Sequence, residues 1–422
     1  MSPCAPARPV APTSTLVLAS SSRVAASLAA ELSAAVPRPP GPREVRFATF
    51  NTALERSGPG VLAAELATRG SEQARNVAEI IQRVRPDVLL VNEFDHDAEG
   101  AGPRLFQDHY LSVGQRGAEP IRYPHVYTAP VNTGVASGAD LDGDGEAVTD
   151  PGAPGYGADA FGYGLFPGQY GMVVYSAYPI LTERARTFRT FRWADMPGAL
   201  LPTDPGTGAP FHSPEALAVL RLSSKSHWDL PVDTGRGRPV HLLASHPTPP
   251  AFDGPERRNA LRNHDEIRFW ADYVTPGAAS YVYDDRGRRG GLPAGEPFVI
   301  AGDLNADPHD GSSLPGAVHQ LLGHPLVRDV RPASQGGRGA ALRQGGANDR
   351  HTGAPELDSA DFADEPGPGN LRVDYVLPSR DVATGASGVF WPTVDDPLFR
   401  LTGDHPFASS DHRLVWVDLV LR

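Results

Sequence analysis

Several polar residues of this chain stand where an apolar run stops. The clearest case is Phe298-Val-Ile-Ala-Gly302-Asp303-Leu-Asn305. The apolar residues read as a buried strand. Gly302 lets the chain turn or another group approach closely. Asp303 and Asn305 then share a side if strand geometry persists, because strand side chains repeat every two residues. A metal-bound phosphate could use that pairing of carboxylate and amide; an Asx turn closing the strand would use the same residues. The pattern recurs. Val45-Arg-Phe-Ala-Thr-Phe50 alternates and ends at Asn51, and Val88-Leu-Leu-Val91 ends at Asn92-Glu93. Val240-His-Leu-Leu-Ala244 runs into Ser245-His246, and the Pro-rich 247–250 loop after it holds that histidine in a stiff, non-helical backbone. Leu371-Arg-Val-Asp374-Tyr-Val-Leu377 carries an acid inside a strand, which is costly unless paired. Ser409-Ser-Asp411-His412 precedes a last strand over 414–421. A bond from a ring nitrogen of His412 to Asp374 would satisfy both groups, fix the tautomer and raise the basicity of the ring.

The elements that must position these residues are legible to different degrees. Residues 61–67 predict a short helix. Residues 71–84 predict a longer one, with Ser71 as cap, an apolar Ala74, Val77, Ile81 and Val84 face, and Pro86 after it. Residues 171–176 and 218–223 predict further strands. Residues 255–274 predict a helix with Pro255 in its first turn and an apolar face of Ala260, Ile267, Trp270 and Val274. Arg258, Asn259 and His264 crowd its early turns, where a helix start can hold an anion; a solvated charged face is the plainer reading. Loop-rich insertions fall near 96–168, 183–215 and 309–369. The 183–215 segment, with its aromatics, Arg and Pro, predicts a surface insertion. Within 96–168, Asp140-Leu-Asp142-Gly-Asp144-Gly-Glu146 copies the first half of an EF-hand loop, then breaks, with Pro151 where a bidentate Glu belongs. A structural Ca²⁺ on Asp140, Asp142 and Asp144 and a plain acidic turn both fit.

The chain has 422 residues, enough for a substantial core, and a net charge of −12. That balance argues against a strongly basic, non-specific nucleic-acid binder, though not against a local basic groove. A single cysteine, Cys4, rules out an intramolecular disulfide. No apolar stretch approaches the roughly 20 residues that span a bilayer. Its 45 glycines and 43 prolines predict long loops on a scaffold. Residues 1–43, rich in Ala, Ser and Pro, read as a disordered tail or a degenerate leader. Residues 44–422 then form one catalytic domain.

Taken in order, Asn51, Asn92-Glu93, Ser245-His246, Gly302-Asp-Leu-Asn305, Val373-Asp-Tyr375 and Ser410-Asp-His412 resemble the motifs of the endonuclease/exonuclease/phosphatase superfamily. That group includes pancreatic-type deoxyribonucleases, abasic-site endonucleases, neutral sphingomyelinases and inositol-polyphosphate 5-phosphatases. The resemblance implies an α/β fold, a four-layer sandwich of two mixed, mostly antiparallel sheets flanked by helices. It implies a phosphoesterase that uses Mg²⁺ or Mn²⁺, with Glu93 as the main ligand and Asn51 and Asp411 close to the ion. By the same resemblance Asp303 orients or deprotonates the attacking water and Asn305 bonds the phosphoryl group. His412, held by Asp374, serves a phosphate oxygen or proton transfer, and His246 is a candidate acid for the leaving oxygen. After Arg413, Leu414 stands where many relatives place a proline. The substrate, nucleic acid or a small or lipid phosphoester, does not carry over, and oligomeric state is open. Relatives of this loop-rich, nearly cysteine-free build are often exported, so secretion is the expectation, with the cytoplasm left open. The alternative function is a catalytically silent phosphate-ligand or Ca²⁺-binding module on the same fold.

Overall fold

The computed structural model describes Met1 and residues 36–421. Most of the 1–43 tail therefore lies outside the described residues, and 36–43 carry no strand or helix. The strands, in chain order, are β1 (Glu44–Leu54), β2 (Val88–Phe94), β3 (His125–Tyr127), β4 (Met172–Ser176), β5 (Arg186–Thr187), β6 (His227–Val232) and β7 (Val240–Ser245). They continue with β8 (Phe298–Asp303), β9 (Ala360–Asp361), β10 (Asn370–Leu371), β11 (Asp374–Pro378), β12 (Ala383–Val389) and β13 (Val415–Val420). Among the helices are α1 (Val61–Ala67), α2 (Glu72–Val84), α3 (Pro214–Val219) and α4 (Arg258–Val274). No helix of the described residues is long and apolar enough to cross a membrane.

The strands make a six-stranded sheet ordered β12-β13-β1-β2-β4-β3 and a five-stranded sheet ordered β11-β8-β7-β6-β5, while β9 and β10 pair with each other apart from both. One pair in each is parallel, β1 with β2 and β7 with β8; the other pairs are antiparallel. Alternation along each strand assigns its two faces. Val45, Phe47, Val88, Leu90, Leu242, Ala244, Val299, Ala301, Val415 and Val417 share one buried cluster between the sheets. The intervening Ala48, Phe50, Leu89 and Val91 pack outward on Val77, Ile81 and Val84 of α2. Leu243 and Ile300 pack outward on Ile267, Trp270 and Tyr273 of α4. The layering is helix, sheet, sheet, helix, the four-layer sandwich the resemblance implies.

Ser71 caps α2 by accepting the Ala74 N–H at 3.3 Å. Buried Arg46 on β1 holds Asp418 on β13 at 2.7 Å and the Val84 carbonyl at the end of α2 at 2.6 Å, joining helix to sheet. Several sequence expectations change. Residues 218–223, whose apolar run predicts a strand, form none: 218–219 finish α3, which Ser213 caps through the Ala216 N–H, and 220–223 are irregular apart from an isolated bridge between Arg221 and Arg192. The strand comes later, as β6. Its Asp229 is tolerated because it accepts from His241 Nδ1 at 2.5 Å and the Tyr273 hydroxyl at 2.6 Å, and Pro231 lies past the last β5 pair. Residues 183–215 are only in part at the surface: 203–210 are exposed, whereas Phe188, Phe191 and Trp193 are buried in the core beneath α4. Helix α4 starts at Arg258, not at Pro255, because Arg257 takes a left-handed backbone.

Candidate active site

The inner faces of both sheets turn polar at one end. Continuing the alternation of the core leads from Phe47 to Asn51, from Leu90 to Asn92, from Ala244 to His246 and from Ala301 to Asp303. Asp374 opens β11 directly across from Asp303, and His412 precedes β13. These groups end up together because β1, β2, β7 and β8 run out at the end where β11 and β13 begin.

Asp303 is the hub. Its Oδ1 accepts the Asn305 N–H at 2.9 Å, the Asx turn. Its Oδ2 accepts from Asn51 Nδ2 at 3.1 Å and lies 3.3 Å from His246 Nε2 and 3.7 Å from His412 Nε2. The Asx-turn reading of the motif therefore holds at Oδ1, while Oδ2 faces Asn51 and the two rings. Asn92 Oδ1 bridges the sheets, accepting from Thr49 Oγ1 at 3.2 Å and from the Asp303 N–H at 3.4 Å. Gly302 has φ +145°, and a Cβ there would sit 1.9 Å from the Ser245 carbonyl oxygen, so glycine alone fits. Glu93 and Asn305 take left-handed backbones, φ 54° and 52°, the local strain that clusters at functional sites. For Glu93 the effect is directional. Alternation would turn it outward, yet its Oε1 lies 3.9 Å from His246 Nε2.

The histidine supports differ. His412 Nδ1 donates to Asp374 Oδ2 at 2.9 Å, the predicted pair, and the Ser359 hydroxyl donates to the same oxygen at 2.8 Å. Arg413 is buried; it donates to the Ser410 carbonyl at 2.7 Å and pairs with Asp361 at 2.9 Å, pinning the loop that presents Asp411 and His412. Burial works against charge on His412, but Asp374 and Asp303 raise its pKa well above that of a free imidazole. Burial, with help from Lys225, pushes His246 down to about 4. Burial alone would raise Asp303, but His412, His246 and Asn51 hold it well below the usual carboxylate range. Burial pushes Asp374 up to about 6. At neutral pH the ionised Asp303 thus faces a charged ring, His412, and a neutral one, His246.

Glu93, His246, Asp303, Asn305, Asp411 and His412 line one cavity of about 690 Å³. Asn51 stands behind it, its amide committed to Asp303 and its oxygen to the Ala53 N–H at 3.2 Å. Arg258 and Asn259 reach the cavity wall, whereas His264 does not and instead meets Asp265 at 3.0 Å. The start of α4 is not an open anion site: Asp253 accepts the N–H groups of Asn259 and Ala260 at 2.7 and 3.0 Å. Asp140 and Asp142 converge with Asp159, not with Asp144, and Asp140 accepts backbone N–H groups of Gly143 and Gly145. The acidic turn is a self-closed one, without the second half of an EF-hand. Two residues near the site carry no sequence signal. Glu55 lies past the end of β1, and Lys225 sits in an aperiodic Ser-Ser-Lys-Ser stretch before β6.

The donor set suits a hard divalent cation, which prefers oxygen ligands. The Glu93 carboxylate accepts no hydrogen bond from any described residue, and Glu55 Oε2 is buried without a partner. Burial, then the charges of Glu55 and Asp411, push Glu93 up to about 7. Carboxylates crowded against one another without neutralising partners are what a cation relieves. An oxygen or nitrogen from each of Glu93, His246 and Asp303 falls within 4.8 Å of the others.

The sequence matches the family model described as "Endonuclease/Exonuclease/phosphatase family" over residues 48–412. Among solved structures, the chain is 20% identical to an endonuclease/exonuclease/phosphatase from Beutenbergia cavernae, covering 90% of this chain and 72% of that one, with TM-score 0.47. Sphingomyelinase C from Streptomyces griseocarneus is 16% identical, covering 89% and 99%, with TM-score 0.43. The human nocturnin catalytic domain with bound sulfate is 13% identical, covering 91% and 97%, with TM-score 0.44. No curated protein matches the chain.

Proposed function

Since the chain belongs to the endonuclease/exonuclease/phosphatase family, we propose that it is a divalent-metal-dependent phosphoesterase acting by in-line attack of water. The observation that carries this reading is the convergence on Asp303 Oδ2 of both histidines, with Glu93 against His246. Glu93, with Asp411 and Glu55 nearby, would hold Mg²⁺ or Mn²⁺. The bound ion would supply neutralisation of phosphoryl charge and polarisation of water.

The chain's own residues do the rest. Asp303, ionised throughout the neutral range, accepts a hydrogen bond from the attacking water and aims it at phosphorus. His412, charged and oriented by Asp374, donates to a phosphoryl oxygen as negative charge builds there. His246 is neutral at pH 7, so it offers Nε2–H as a hydrogen-bond donor; the proton-bearing ring for acid chemistry is His412. Asn305 adds its amide to the phosphoryl group, and Asn51 holds Asp303 in place.

Hydrolysis of bis-p-nitrophenyl phosphate and p-nitrophenyl phosphate in Mg²⁺ or Mn²⁺, with and without EDTA, tests the reading. Turnover that EDTA abolishes and added metal restores is the expected result. Failure of every divalent ion to give turnover would favour a silent phosphate-binding module instead.

A further inference from the structure

Lys225 is 6% exposed and lines the cavity beside His246. Its carbonyl accepts the Asn132 N–H at 2.9 Å, but its ammonium makes no hydrogen bond or ion pair with any described residue. A buried cation left unpaired is strongly disfavoured. The carboxylates acting on its charge are Glu93, Glu266 and Asp303. Glu266 is committed to the backbone N–H groups of Ser224 and Thr248, at 2.7 and 2.6 Å. No described residue contacts this ammonium, and its tip faces the cavity, where an entering anion can reach it.

Leu141, Trp193 and Leu220, members of one buried cluster, give the cavity an apolar recess together with Ala160; the buried His212 lines the same cavity, and Phe252, 95% exposed, borders it. Arg262 borders the same space but turns its guanidinium to the carbonyls of Phe161, Arg221 and Leu222. Arg258 is paired with Glu256 at 2.9 Å. A groove that tracks a polynucleotide needs a run of available Lys and Arg. Among the described residues this one offers an ammonium without a protein partner, Lys225, and an apolar recess in the same cavity, in a volume typical of small-molecule sites.

We propose that the cavity takes a small phosphoester end-on. Lys225 pairs with a non-bridging phosphoryl oxygen, and the apolar recess holds the esterified group, an apolar alcohol. This rests on the phosphoesterase function proposed for the site. The test compares n-hexyl phosphate, glycerol 1-phosphate and a single-stranded oligonucleotide as substrates in the same Mg²⁺ buffer, with inorganic phosphate as a binding probe by thermal shift. The hexyl ester should show a KM lower than the glycerol ester by roughly tenfold or more, from the additional buried methylenes. Phe252→Ala should raise the KM of the hexyl ester and leave that of the glycerol ester. Lys225→Met should lower kcat/KM for both esters by roughly ten- to a hundredfold, as loss of a charged hydrogen bond does. The same variant should lose stabilisation by inorganic phosphate, while its own Tm equals or exceeds that of the parent, since an uncompensated buried charge has gone. Unaltered turnover and phosphate protection in Lys225→Met overturns the anion role. Equal KM values, or a preference for the oligonucleotide, overturns the substrate class. Inactivity of the parent protein on all three overturns the phosphoesterase reading, whereas Lys225-dependent protection by phosphate in that inactive protein still supports Lys225 as the anion's ligand.

Discussion

Asp374 and Glu93 show how two acids in one pocket do different work. Asp374 never faces the cavity; it grips His412 Nδ1 and is itself held by Ser359. Asp374→Asn keeps the shape but loses the charge that orients and protonates the ring. It should lower kcat by roughly a hundredfold or more and leave the metal concentration for half-maximal rate little changed; equal losses in both would contradict the assignment. Glu93 has no hydrogen-bond partner among the described residues and is pushed up to about 7 by burial and by Glu55 and Asp411. Glu93→Gln should raise the half-maximal metal concentration by roughly tenfold or more. An unmoved requirement in a metal titration of the rate would remove Glu93 from the ligand set. Both residues are legible in the sequence, Glu93 because it ends an apolar run and Asp374 because a lone acid inside a strand needs a partner. Glu55 and Lys225 are not, because they sit on irregular backbone where no periodicity marks which way a side chain turns.

The elements matter through their ends. Gly302 lets β8 pass against the Ser245 carbonyl of β7, and so sets the height of Asp303 against His246. Gly302→Ala meets both a left-handed φ and a backbone clash. It should cost at least ~2 kcal/mol in urea unfolding and depress kcat with it; a fully stable, active variant would show that the strands are not so closely set. His227 ties β6 to α4: Nε2–H donates to the Glu266 carbonyl at 2.9 Å and Nδ1 accepts from Ser223 at 2.6 Å. Burial pushes this ring down to about 4. A depressed base binds fewer protons folded than unfolded between its two pKa values, so its contribution is intact near pH 7 and lost as pH falls through 6.5 toward 4. The stability difference between the parent and His227→Gln should therefore shrink on acidification from about pH 7.5 to about 5.5, by about 1 kcal/mol in urea titrations. A pH-independent difference would mean the ring titrates normally. Strand β6 itself escapes the sequence pattern, since Asp229 and Pro231 interrupt it and only the tertiary partners His241 and Tyr273 make the acid tolerable.

At the scale of the molecule, two sheets share one apolar interior and open it at one end, where loop-rich segments wall the opening. Leu141 and Ala160 come from residues 96–168 and Trp193 from residues 183–215, so the segments least readable from periodicity shape the recess. The sandwich is legible only through the family that the ordered motifs resemble, since spacing alone does not give the sheet order. The recess is not, because its walls come from loops whose course is set by contacts with α4 and not by any local repeat. The acidic turn at Asp140 stands apart from the pocket's phosphate end, with Asp159 closing it. The most direct test is crystallographic: crystals grown with Mn²⁺ and inorganic phosphate, with the ion located by anomalous scattering. A manganese peak bonded to the Glu93 carboxylate, with phosphate between His246 and His412 and one oxygen on Lys225, is the predicted result. Manganese only at Asp140 and Asp142, or phosphate away from both histidines, would contradict it.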